Sequence, residues 1–181
     1  SLKKIKFSKL MTFLGAGTSW SSTASSYVLN GCTSLEEVTL SEGMKQIGKY
    51  AFADCPNLTT IHNTANLTTL GDNVFRNSGI VEISLPKVTS LGTYVFSGAE
   101  RLESITLDSM TKVPKYTFQD AKVLASFDFS KISTIEEGAF KGAGLTEVNL
   151  PKITSIGKEV FMDCENLTKV ECPKVKTIGE S

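Results

Sequence analysis

Apolar residues recur along this chain with a period of about 22, and each period holds two different local rhythms. Leu35, Leu58, Ile80, Leu102, Leu124, Leu145 and Leu167 head successive segments, spaced by 21 to 23 residues. Three positions after each head stands a second apolar residue: Val38, Ile61, Ile83, Ile105, Phe127, Val148 and Val170. Two positions later comes a third in most units (Leu40, Leu85, Leu107, Phe129, Leu150, Cys172), and the polar Asn63 is the exception. Apolar residues two apart with polar ones between them predict a half-buried strand. The second half of each unit carries an apolar pair three apart, such as Ile132 and Ile135 or Ile153 and Ile156. A phenylalanine column follows it: Phe52, Phe75, Phe96, Phe118, Phe140 and Phe161. Gly48, Gly71, Gly92, Gly157 and Gly179 follow the pair, where a tight turn or a close backbone approach excludes a side chain. Pro114 and Glu136 hold that slot in two units, so the turn there does not require a positive φ.

One such unit buries too few apolar side chains to offset the conformational entropy of ordering it. Stacking removes the difficulty, because the strands form a parallel ladder and each coil covers the open face of its neighbour. The arithmetic predicts about eight coils in one solenoid over residues 1–181. Residues 1–33 form an irregular first coil, 34–165 six regular repeats and 166–181 an incomplete last one.

Two stretches give the unit a family likeness. One is the run Ile47-Gly48-Lys49-Tyr50-Ala51-Phe52; the other joins Leu145, Val148, Leu150, Pro151, Lys152, Ile156, Gly157 and Phe161. Together they resemble the BspA-like leucine-rich repeat, also called the Treponema pallidum type. Other leucine-rich repeats place an Asn after the strand, and this sequence does not. The resemblance implies an α/β right-handed solenoid, with a concave parallel β-sheet and a convex side of short strands and short helical or 3-10 turns. It also implies a non-catalytic bacterial protein of the cell surface or secreted space, often an adhesin.

The ends depart from the pattern. Aligning the first coil puts Leu29 in the phenylalanine column, about ten residues late, which places an insertion near residues 15–28. It holds the only tryptophan, Trp20, and two readings stand: a contact loop, or a flap folded over the exposed end of the first coil. The last coil stops before its phenylalanine, and the chain opens at Ser1 rather than Met, so it reads as a fragment of a longer product.

Composition narrows the chemistry. Nineteen basic and nineteen acidic side chains cancel, which argues against a nucleic-acid partner, whose phosphates call for a Lys/Arg excess. No apolar run reaches the length of a membrane-spanning helix, and the N-terminus lacks the layout of a signal peptide. A single histidine, His62, excludes a two-histidine metal site; Ser84 and Asp128, the neighbours a triad would need, lie one and three coils away, and the outward polar column alone accounts for all three. The expectation is therefore no enzyme, no metal and no cofactor. Cys32, Cys55 and Cys164 share a column with Ser78, Ala99, Ala121 and Ala143, which reads as a small core-facing slot. A Cys32–Cys55 disulfide between adjacent coils is geometrically conceivable. Tyr50, Tyr94 and Tyr116 share a convex column and read as packing along the rim.

Residues between the strand anchors face outward, so two polar columns line the concave face. Candidate partner-binding residues are Glu37, Thr39, Thr60, His62, Glu82, Ser84, Ser104, Thr106, Ser126, Asp128, Glu147 and Asn149, together with Trp20. Neither column holds an aromatic for sugar stacking, which favours a protein partner on a host or neighbouring cell over a glycan. Just past the strands, Lys87, Lys131, Lys152 and Lys174 form a candidate anion edge, the alternative being glycan binding there. A third reading is a structural spacer within a larger surface protein.

Overall fold

The structure, a computed structural model, describes residues 2–15 and 27–179. Its strands, numbered in chain order, form two series. The first consists of three-residue strands: β1 (Lys4–Lys6), β3 (Glu37–Thr39), β5 (Thr60–His62), β7 (Glu82–Ser84), β9 (Ser104–Thr106), β12 (Glu147–Asn149) and β14 (Lys169–Glu171). The second consists of two-residue strands: β2 (Phe13–Leu14), β4 (Gln46–Ile47), β6 (Thr69–Leu70), β8 (Ser90–Leu91), β10 (Lys112–Val113), β11 (Thr134–Ile135), β13 (Ser155–Ile156) and β15 (Thr177–Ile178). All pairings are parallel and join equivalent repeat positions, with Ile5 beside Val38, Val38 beside Ile61, Ile83 beside Ile105 and Val148 beside Val170. The repeat therefore builds a parallel-strand solenoid.

Its core is a line of side chains between the two series. Phe52, Phe75, Phe96, Phe118 and Phe140 are fully buried, and successive rings stack with centroids 5.1–5.8 Å apart and planes within 22°. That interval is close to the separation of neighbouring strands, so one ring per coil fills the axis without a gap. Leu29 takes its predicted place: its N–H donates to Ala51, just as the Phe52 N–H donates to Val74.

Each regular coil bends at two residues in the left-handed region, two before and two after the phenylalanine. The first column is Tyr50, Asn73, Tyr94, Tyr116, Gly138 and Glu159, and the second Asp54, Asn77, Gly98, Asp120, Gly142 and Asp163. Asn, Asp and Gly adopt this conformation readily, whereas a tyrosine there is unusual. Neighbouring contacts hold the tyrosines: Tyr94 stacks on Tyr116 and Tyr27 on Tyr50, each at 4.8 Å, with the Arg76 guanidinium 5.9 Å from the Tyr50 centroid. The Tyr116 hydroxyl donates to Glu137 at 3.0 Å, and this bond pushes the phenol pKa up to about 12.

The convex side carries the two-residue strands joined by turns, and among the described residues the one helical element is a 3-10 turn at Thr64–Asn66. Two expectations need correction. The concave sheet is interrupted beside that turn, where β5 does not pair with β7. Asn63 explains this break, since its φ of 64° turns the chain out of the ladder while its Nδ2 donates back to the Leu40 carbonyl at 2.9 Å. The second correction matters most for function: Ser126 and Asp128 were expected on a strand, and residues 126–128 form none. Phe127 and Phe129 replace the usual aliphatic anchors and pack with Phe118 and Phe140 in a tilted cluster, centroids 4.9–5.3 Å apart. Two rings exceed the space of two aliphatic side chains, and the excess volume keeps this segment from pairing with β9 or β12.

Charged contacts tie coil to coil. Asp54 accepts from Arg76 at 2.9 Å and from Asn77 at 2.8 Å, and Asp72 meets Lys49 at 2.7 Å and the Thr93 N–H at 2.9 Å. Burial pushes both carboxyls up, but these bonds outweigh it and hold each below its usual value of 3.8. A carboxylate with a lowered folded-state pKa contributes stability that is present above 3.8 and lost as pH falls through the folded value. Urea midpoints measured from about pH 6 down to about pH 3 are expected to be flat at first and then to fall. In Asp54→Asn, which cannot titrate, the acid fall should be shallower; an equally steep fall contradicts the role given to Asp54.

Candidate functional site

The concave face is built by strand alternation, which turns every second side chain outward. Among the predicted residues, His62, Glu82, Ser84, Ser104, Thr106, Glu147 and Asn149 are exposed on strands, as is Thr60, while Glu37 and Thr39 are half-buried. At the N-terminal end, register places Lys4 beside Glu37 and Thr39 beside His62. The Lys4 Nζ lies 2.6 Å from Glu37 and the His62 Nε2 lies 3.2 Å from the same carboxylate. The bond from Lys4 holds the Glu37 carboxyl below its usual range. His62 thus hydrogen-bonds Glu37 beside Lys4 and has neither Ser84 nor Asp128 as a partner.

Toward the C-terminal end the unpaired segment at residues 126–128 leaves a cleft on each side. The larger, of about 330 Å³, lies toward β12 and β14; the smaller, of about 200 Å³, lies toward β9. Phe127 and Asp128 line both. Asp128 accepts from the Ser130 N–H at 2.8 Å, which lowers its pKa. Lys169 pairs with Glu171 at 2.8 Å, and among the described residues no ion pair engages Asp128 or Glu147. Sequence reasoning named Ser126, Asp128, Glu147 and Asn149 but missed the clefts. The signal was present, because this is the unit between Leu35 and Leu167 with phenylalanine at both strand anchors.

The lysine edge is less uniform than the sequence suggests. All four lysines are exposed; Lys87 donates to the Asn66 side chain and Lys131 to the Asp108 carbonyl, each at 2.8 Å, and among the described residues Lys152 and Lys174 have no such partner. Trp20 lies outside the described residues. All four cysteines are free thiols, including Cys32 and Cys55, and burial pushes the Cys55 thiol pKa up to about 11, so it is a packing residue rather than a nucleophile. Among the described residues no group of His, Cys, Asp and Glu is arranged to hold a metal ion, and no helix is long and apolar enough to cross a membrane.

A family model for the BspA type leucine rich repeat region matches in six copies, over residues 22–143 and 133–181. The chain belongs to the BspA-type leucine-rich-repeat family. Solved structures of bacterial repeat proteins share the fold. A leucine-rich repeat protein from Bacteroides ovatus superposes with a TM-score of 0.63 at 20% identity, covering 98% of this chain and 63% of that one. The T. pallidum leucine rich repeat protein gives 0.62 at 19% identity, with 98% and 73% covered. A leucine rich cell surface protein from Faecalibacterium prausnitzii gives 0.62 at 28% identity, with 93% and 38% covered. This BspA-type chain therefore spans less than two thirds of the Bacteroides and Faecalibacterium proteins. No curated protein matches it.

Proposed function

We propose that this chain is a non-catalytic protein-binding module of a bacterial surface or secreted protein, which engages a protein on a host or neighbouring cell through its concave face. The observation that carries this reading is the row of outward polar side chains on the parallel strands β3, β5, β7, β9 and β12, with the clefts at Asp128 set into it. Such a surface has fixed side-chain spacing and needs little ordering on contact, which lowers the entropic cost of association. Family membership supports the reading, as does the likeness to a protein described as a leucine rich cell surface protein. The absence of aromatics from the outward columns and the engagement of Lys87 and Lys131 by neighbouring acceptors both weigh against a glycan edge.

The test is binding of the chain to immobilised host matrix proteins, compared with Glu37→Lys, Glu82→Lys and Asp128→Lys. All three positions are exposed or half-buried, so folding is expected to survive. Affinity should fall at least about tenfold in the combined variant, mainly through faster dissociation. Binding that survives all three reversals contradicts the concave-face assignment.

A further inference from the structure

The two clefts differ from the rest of the concave face in having apolar floors, and the larger also has several carboxylates on its rim. Phe127, Phe129 and Pro151 line it, and Phe127 is only partly covered. Its rim carries three carboxylates, Asp128, Glu147 and Glu171, against one ammonium, that of Lys169, which pairs with Glu171 at 2.8 Å and stands beside Glu147 in register. A second feature comes from the broken ladder: residues 126–128 pair with neither neighbouring strand, and the N–H groups of Phe127 and Phe129 have no backbone acceptor. In the coil headed by Leu145, the equivalent Leu150 N–H donates to Glu171 at 2.7 Å. The carbonyls of Phe127 and Asp128 are likewise without a backbone donor, so acceptor groups of the main chain accompany the two free carboxylates.

An aromatic floor, a rim of net negative charge and unpaired carbonyls converge on one kind of side chain. A guanidinium is flat enough to lie on a phenylalanine ring, is always charged, and presents five N–H donors in a fixed fork. Its three-carbon stem would cover the apolar floor while the head meets Asp128 and Glu147. We infer that this cleft is a subsite for an exposed arginine of the protein partner. The inference rests on the concave-face reading and names the partner chemistry at one point of it.

The test uses NMR on the isotope-labelled chain, titrated with Ac-Ala-Arg-Ala-NH2 and with the peptide in which the arginine is replaced by citrulline, an uncharged near-isostere. The arginine peptide should shift the amides of Phe127, Phe129 and Asn149, and the citrulline peptide should bind at least about tenfold more weakly. Asp128→Asn with Glu147→Gln should weaken the arginine peptide at least about tenfold with unchanged spectra elsewhere. Phe127→Ile with Phe129→Leu, which restores the aliphatic anchors of the other coils, should close the cleft and abolish the shifts. Equal binding of the citrulline peptide, or full binding by the Asp128→Asn/Glu147→Gln variant, overturns the inference. If matrix-protein binding stays sensitive to the Glu37 and Glu82 reversals while the arginine peptide fails to bind, the subsite falls and the concave-face reading stands.

Discussion

Replacing Phe140 by alanine is expected to lower the unfolding free energy by about 3–5 kcal/mol, the range for deleting a buried aromatic ring. Phe140 is fully buried and touches four other rings, Phe118, Phe127 and Phe129 at 5.1–5.2 Å and Phe161 at 6.0 Å. Its removal therefore opens a cavity that has contributors from three coils and cannot collapse without moving all of them. A solenoid has only nearest-neighbour contacts, so the damage should be greatest in the coils around Phe140 and fade toward β1. Phe161→Ala supplies the internal comparison: Phe161 is only partly buried and has Phe140 as its ring neighbour, so it should cost clearly less. Urea unfolding of the two variants measures the difference, and equal costs would contradict the continuous ring column as the source of stability.

A methyl group at Gly144 should be nearly as damaging. Leu145, the next head, follows Phe140 by five positions where most coils have six, and the shorter loop draws the chain inward. A Cβ at Gly144 would collide with the carbonyl of Lys122 in the preceding coil, and a Cβ at Gly79, in the other short loop, with that of Pro56. Both contacts are with backbone, which cannot swing aside as a side chain does. Gly144→Ala is expected to cost about 1–3 kcal/mol through this overpacking, or more if the Gly144 N–H loses its bond to Ala121 at 3.1 Å. Arg101 holds the same place in a longer loop and is exposed, so Arg101→Ala should stay within about 0.5 kcal/mol. Inserting one residue between Ala143 and Gly144 should rescue the alanine variant. Thermal unfolding of the set reads this directly, and a Gly144→Ala protein as stable as Arg101→Ala would refute the close approach.

Much of the fold was legible because a repeat reports its geometry many times over. The heads, the strand anchors and the phenylalanine column each recur, so a single irregular residue cannot hide the pattern. Leu29, Cys55 and the tyrosine column lie where their repeat positions place them. The irregular places were harder to read, because a repeat argument treats every coil as average. Asn63 is a polar residue in an apolar slot, yet its left-handed backbone and the resulting break between β5 and β7 go with hydrogen bonds that reach the flanking coils, from Asn63 to Leu40 and from Thr64 to Ser84. Phe127 and Phe129 passed as ordinary anchors, since a hydrophobic pattern records apolarity and not volume. The candidate site was legible as two polar columns, but its deepest feature arises where the pattern holds in letter and fails in size.

Amide hydrogen exchange followed residue by residue reads out the interruption of the concave ladder at residues 126–128. Leu40, Leu85, Leu150 and Phe129 occupy the same repeat position, and the first three donate to His62, Thr106 and Glu171 at 2.7–3.2 Å while Phe129 has no backbone acceptor. Slow exchange at Leu85 and Leu150, with Phe129 exchanging at least about tenfold faster, is the expected result. Uniform protection at all four positions would mean that the ladder runs unbroken through the coil headed by Leu124, and would contradict both the interruption and the clefts beside it.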